Sequence, residues 1–411
     1  MRPPSTAHDD RGRPTFSPMP WSLKEIREAI PPELFIRDTR RAMMYLMRDL
    51  LMAAVAWSFA LKIDPFFSDA HIRSALTGLG ADLCRCCAWT VYWWFQGLIV
   101  TGIWVMGHEC GHGAFSDHRI INDAIGFVVH SLLWTPYFSW KISHHRHHCN
   151  HASMERDEVY VPKTREDLGI PDLPSHEIDW DEVFGDTPIY TLLMLIRQQL
   201  LAFPAYLVSA PSLSAYNVSG QKTYPRWTNH FSPNSILFTK EQRNAVIMSN
   251  LGMLATLYIV AYASFTYGFG TVLRFYGIPW LALNHWFTMI TYLQHTDIHL
   301  PHYRGKAWNF QRGAASTADR SFLGWQGRFF LHDVAHYHVI HHFFPKMPFY
   351  HGAEATRYLK KFIGDHYVHY DTPVFQALWR TYNDCQFVDN NGDVFFYRNK
   401  KGNAARSVKK D

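Results

Sequence analysis

Three histidine clusters are the part of this sequence most able to do chemistry. In His108-Glu-Cys-Gly-His112 two imidazoles stand at i and i+4. On a helix that spacing puts both on one face, with Cβ atoms about 5–6 Å apart, so they can hold one metal ion or bridge toward a second. His144-His-Arg-His-His148 gives His144, His147 and His148 the i, i+3, i+4 relation, and His338-Val-Ile-His-His342 repeats it with His338, His341 and His342. A lone histidine is ordinarily a satisfied core or surface residue. Three boxes are different, because pairs such as His147-His148 and His341-His342 are costly to desolvate without a shared partner. Ionisable groups placed beside a bilayer are functional by default.

Eight imidazoles overfill a tetrahedral zinc, which closes at four ligands, whereas two five- or six-coordinate ions absorb them. Imidazole suits iron, copper, zinc and nickel alike, so ligand type alone leaves the metal open. Redox chemistry favours iron. A nitrogen-rich pair of irons can reduce O2 to an oxidant able to take hydrogen from an unactivated C–H bond, the protein supplying placement and access. His108-Glu-x-x-His112 also fits the H-E-x-x-H box of zinc proteases. A membrane zinc metalloprotease needs only that box and one more ligand, and leaves the other two boxes without a role. A His-rich metal transporter would need polar residues inside its membrane spans, which show almost none.

The elements that must carry these boxes are read from hydropathy. A bilayer core takes about 20 mostly apolar residues to cross, and four segments qualify: 50–67, 86–106, 245–267 and 278–293. Two further apolar stretches, 121–140 and 189–209, are broken by polar residues or proline and read as interfacial or re-entrant helices. The four spans make two hairpins opening on the same side, where every box falls. Arg37, Arg40, Arg41 and Arg48, with the Lys/Arg-rich C-terminus, put that side in the cytosol. Backbone polar groups in lipid must bond within their own helix, which excludes an open sheet there. The expected fold is therefore all-α: an integral membrane protein of four transmembrane helices capped by a cytosolic domain bearing the boxes.

Composition agrees. Of 411 residues, 18% are charged, 47% apolar and 16% aromatic. A soluble domain carries roughly 25% charge. The net charge of +5 is too mild, and too little organised into a basic stripe, to argue for nucleic acid. Three of the six cysteines crowd into 84–87, and the simplest reading is reduced thiols. Residues 1–21 begin polar and proline-rich, without a cleavable signal peptide, and are expected to be a disordered tail. Order should begin at the capping box Ser22-Leu-Lys-Glu25. Residues 22–400 then form the membrane domain and 401–411 a basic tail.

At these residues the chain resembles the membrane fatty-acid desaturases, in particular the fungal oleate Δ12-type branch, over nearly its whole length from Ser22. Beyond the boxes the likeness includes Met154-Glu-Arg-Asp-Glu-Val-Tyr-Val-Pro-Lys163, Asn217-Val-Ser-Gly220, Ile290-Thr-Tyr-Leu-Gln-His-Thr296 and Leu300-Pro-His-Tyr303. It continues through Met347-Pro-Phe-Tyr350, Glu354-Ala-Thr356 and Phe396-Tyr-Arg-Asn399. The resemblance implies a ninth ligand, His295, at the cytosolic end of the fourth span, with His299 and His302 as its neighbours in sequence. It implies two Fe ions bound by His108, His112, His144, His147, His148, His295, His338, His341 and His342. Glu109 and Asp157 look like carboxylates that orient ligand imidazoles. No catalytic residue is expected beyond the metal ligands.

The activity so implied is an O2-dependent oxidoreductase that inserts a second double bond into a mono-unsaturated acyl chain, carried on a lipid or on CoA. The implied site is the endoplasmic reticulum membrane, multi-pass, with the active site facing the cytosol. Electrons must come from outside, since the chain has no G-x-G-x-x-G after a predicted strand and no His-Pro-Gly-Gly segment marking a fused haem domain. Cytochrome b5 with its NADH reductase is the expected donor, and Lys346, Arg357, Lys360 and Lys361 suit an acidic partner. Some positions depart from the family pattern. Gly113 replaces a usual His or Gln, His145 an Arg, His336-Tyr337 an acid and a Thr, and Pro345-Lys346 a small hydroxylated pair. These leave the box ligands intact and keep open an acetylenase, hydroxylase or ω3 desaturase outcome, including one in secondary metabolism.

Overall fold

The computed structural model describes residues 12–170, 187–209 and 228–409. The longest helix is central to it. Helix α1 (Thr39–Ala60) starts at Asp38, whose carboxylate accepts from the amides of Arg40 and Arg41. Helix α2 (Gly78–His112) follows, about 52 Å long at the usual rise per residue. Almost every residue of α2 from Gln96 to Cys110 is buried, and its last turn carries the first His box. It stops at Gly113, whose φ of 72° is left-handed. The Gly113 and Ala114 amides return to the carbonyls of Cys110 and Glu109 at 3.1 and 2.9 Å, satisfying helix-end acceptors. The departure at position 113 thus has a backbone reason.

Helices α3 (Arg119–Leu132) and α4 (Tyr137–Asn150) fold back against this end, α4 bearing the second box. Next come α5 (Pro188–Val208), α6 (Arg243–Tyr267) and α7 (Ile278–His295). Helix α7 packs along α2, and the approach is close at Gly97, where a Cβ would stand 2.5 Å from that of Ala282. The third box lies on the short helix α8 (His338–Phe343), followed by α9 (Gly352–Ile363) and α10 (Val374–Asp384).

Three described helices are long and apolar enough to cross a membrane: Thr39–Ser68, Pro188–Val208 and Lys240–Tyr267. Two contain expected spans. The third, α5, had been expected to be interfacial because of Pro204, which it accommodates inside the helix. The expected spans 86–106 and 278–293 form α2 and α7. These keep Trp89, Tyr92, Gln96, Asn284 and Gln294 buried against neighbours.

The fold is mostly helical, with three two-stranded pairings of two or three residues each among the described residues. Strand β1 (Thr15–Phe16) runs parallel to β6 (Ser407–Val408), β2 (His302–Tyr303) antiparallel to β5 (Val394–Phe395), and β3 (Ala318–Arg320) parallel to β4 (Val368–Tyr370). The first pairing places Thr15 and Phe16, within the expected N-terminal tail, against the basic C-terminal segment. Met19, at 1% exposure, joins Ile26, Val339, Phe343 and Leu359 in a core that packs against the third-box helix. Order therefore begins before the capping box, which is present as expected with Ser22 and Glu25 bonded reciprocally. The stretch Asn217-Val-Ser-Gly220 lies outside the described residues.

Candidate metal centre

Four elements converge on one buried volume. The last turn of α2 brings His108 and His112, α4 brings His144, His147 and His148, α7 ends on His295, and α8 brings His338, His341 and His342. Helical spacing does within each box what the sequence suggested, and packing then unites the boxes. Ligand atoms of His108, His112, His144, His148 and His341 lie within 4.8 Å of one another. A second group, with the same bound, joins His147, His295 and His342. His338 completes it, its Nε2 standing 3.1 Å from Nε2 of His295. The groups adjoin, with the rings of His148 and His342 stacked at 4.1 Å.

Ring nitrogens face each other across short gaps in both groups. Nε2 of His108 and His112 are 3.2 Å apart, and those of His144 and His148 are 3.1 Å apart. Burial pushes the His341 imidazole down to about 3 and holds His144, His148, His338 and His342 well below the usual range. These rings are therefore neutral, the form that offers a lone pair to a metal.

A carboxylate fixes which nitrogen is offered. Asp157 Oδ1 lies 3.0 Å from His147 Nδ1, so Nδ1–H donates outward and Nε2 turns inward. That Nε2 is buried without a protein partner, as are Nε2 of His341 and both ring nitrogens of His342. Buried polar atoms are normally paired, and orphans cost free energy. A metal ion satisfies this donor set: nitrogen lone pairs converging in two groups, with a carboxylate behind one ligand. The residues present fit a two-metal centre. At Asp157 burial alone would raise the carboxyl, but His147 and His151 overcome this and hold it well below the usual carboxylate range.

Glu109 supports the other side, with Oε1 3.1 Å from His108 Nδ1. In the H-E-x-x-H reading this glutamate should be free to serve as a general base. Here it faces the back of a ligand ring, and three further imidazoles crowd the pair. Of the neighbouring histidines in this stretch, only His295 enters the groups. His299 bonds Asp297 and Tyr370, and His302 packs beside Tyr397.

Sequence reasoning missed three participants. His151 bonds Asp157 through Nδ1 at 3.2 Å and the Ser316 carbonyl through Nε2 at 3.1 Å. It also meets His295 Nδ1 at 3.3 Å. Its i+4 spacing from His147 was the available signal. Tyr160 stacks on the His295 ring, centroids 4.7 Å apart. Asp319 on β3 accepts the Val339 amide at 2.8 Å and the Tyr367 hydroxyl at 2.6 Å, fixing the backbone of the third box from another element.

A cavity of about 270 Å³ opens onto this centre. His108, His144, His147, His295 and His338 form one wall, and Trp104, Phe203 and Phe287 form an aromatic floor. Threonines (Thr101, Thr288, Thr291, Thr296), two glutamines (Gln198, Gln294) and four tyrosines complete its polar groups, and no described Lys, Arg, Asp or Glu lines it. Such a cavity suits a hydrocarbon beside the candidate ligand imidazoles.

A family model described as fatty acid desaturase matches residues 88–374. The chain is 42% identical to a Delta(12) fatty acid desaturase of Mortierella isabellina, over 92% of this chain and 90% of that protein. It is 41% identical to the Delta(12) fatty acid desaturase of Mortierella alpina, with the same coverage. An oleoyl-12-hydroxylase of Ricinus communis is 39% identical over 93% of this chain and 91% of its own.

Proposed function

The chain belongs to the fatty acid desaturase family, and from that premise we propose that it inserts a Δ12 double bond into an acyl chain that already carries one. The observation that carries this reading is the uncharged cavity ending on ligand imidazoles of both groups. Two iron ions held by the nine histidines would supply the O2 reduction and C–H oxidation that no side chain here can perform. His108, His112, His144, His148 and His341 would hold one, and His147, His295, His338 and His342 the other.

The protein's own residues place and insulate the substrate. Trp104, Phe203 and Phe287 exclude water and hold the methylenes by apolar contact. Asp157 and Glu109 hold protons on the outer nitrogens of His147 and His108, so the inner nitrogens keep pointing at the metal. The net change takes one hydrogen from each of two adjacent methylenes. O2 becomes two waters with two further electrons and two protons from outside. We assign the electrons to cytochrome b5 and its NADH reductase, docking near the exposed cations Lys346, Arg357, Lys360 and Lys361 at the cytosolic face of the endoplasmic reticulum.

Expression in a host that makes no polyunsaturated acids tests the reading. The expected lipid profile gains a diene whose new double bond lies on the methyl side of the old one. A hydroxylated acid instead would favour the second reading, a hydroxylase, which the 39% identity to an oleoyl-12-hydroxylase keeps in view.

A further inference from the structure

Behind the aromatic floor lies a second cavity, of about 430 Å³, between α5, α6 and a π-helical turn at Leu273–Gly277. Phe203 lines both cavities. Its ring meets Phe287 at 4.5 Å between centroids and Trp104 at 6.0 Å, so one aromatic partition divides the two volumes. Pro204 follows directly within α5. Having no N–H, it cannot bond the carbonyl of Leu200, which loosens the turn that carries Phe203.

The lining of the second cavity states what it accepts. None of the described residues that line it is charged. Two of its polar-tipped rings turn their tips away: the Tyr276 hydroxyl donates to the Leu132 carbonyl at 2.7 Å, and Trp280 Nε1 to the Leu133 carbonyl at 3.2 Å. A headgroup or nucleotide would lose its hydration there with little in return. Hydrocarbon would not. The first cavity alone is smaller than the roughly 300–1,000 Å³ of ordinary ligand clefts, whereas the two together fall inside that range.

We propose that the second cavity receives the methyl-terminal segment of the same acyl chain whose reacting carbons lie in the first, with Phe203 as the passage between them. This rests on the acyl-desaturase reading above and adds a determinant of chain length. The carbons beyond the reacting bond are measured by the depth of this cavity, at the end remote from the metal.

The test compares oleoyl and palmitoleoyl chains, which share the position of their double bond from the carboxyl end and differ by two methylenes at the methyl end. Val260 and Ser264 line the second cavity one turn apart on α6. Val260→Trp in the full-length membrane-bound protein narrows it. Each methylene denied burial costs about fourfold, so the ratio of oleoyl to palmitoleoyl conversion should fall by up to about 15-fold. Ser264→Leu, a smaller intrusion, should move the ratio the same way and less. Metal bound per chain controls for folding. An unchanged ratio in both variants overturns the proposal and leaves the cavity to a separate bilayer lipid, and so does an equal loss of both products. A wild-type protein that converts neither chain would instead sink the underlying activity.

Discussion

The carboxylate of Asp157 lies 3.0 Å from Nδ1 of His147, with the two side chains 0% and 3% exposed. It also accepts from the Ala152 amide at 3.2 Å, which ties the α4 box to the loop after it. Asp157→Asn should keep the shape but lose the charge that orients His147, lowering metal affinity by about 10–100-fold. Metal retained against a graded chelator series measures this. Full retention would make Asp157 a packing residue only.

Removal of a ligand should do more. His147→Ala or His341→Ala is expected to abolish product and to lower the metal bound per chain, since each opens one of the two groups. His118→Ala should keep much of the activity, because His118 is exposed and its side chain makes no cap bond at the start of α3. Elemental analysis beside lipid profiling separates the cases, and a single zinc per chain without iron would overturn the two-iron assignment.

Gly97→Ala should force α2 from α7 and destabilise the protein by about 1–3 kcal/mol, as overpacking does. Ala282→Gly in the same chain removes the clashing Cβ and should recover much of the loss, which additive, uncoupled sites would not do. Thermal unfolding in detergent of the two single variants and the double variant gives the coupling.

Acid should loosen the centre in a definite window. Burial lowers the His341 imidazole to about 3 and holds its neighbours well below the usual range. In the unfolded chain the same groups take protons near the ordinary value of about 6.5. The unfolded state thus binds more protons, so the contribution to stability is complete above that value and is lost progressively as pH falls below it. The melting temperature should be flat from neutral pH upward and fall steeply on acidification. A curve flat through the acid range would contradict the neutral-imidazole picture.

The ligand boxes were legible because helical spacing is a local property: i, i+3 and i+4 fix a common face whatever the rest of the chain does. Asp319 was not, since its bond to Val339 crosses twenty residues and depends on how β3 meets the third box. Hydropathy found α1 and α6, whose outward faces are apolar. It misjudged α5, where a proline argued against a continuous helix. It expected α2 and α7 to be spans by their apolar runs, yet both hold polar and aromatic side chains inward and belong as much to the site as to a membrane. The tail before Ser22 looked structureless because β1 consists of two residues whose partners stand near position 407.

That last pairing reaches across the whole molecule. With Thr15 beside Ser407 and Phe16 beside Val408, the two ends of the described chain clasp one another like a buckle. Between the buckle and the centre stands Met19, in the apolar cluster behind His338 and His341. A fusion or truncation that disturbs residues 407–408 therefore acts on the opposite end of the sequence, and through Met19 on the wall that backs the third set of imidazoles. In this protein residues 15–16 and 407–408 are part of the mounting of the candidate centre.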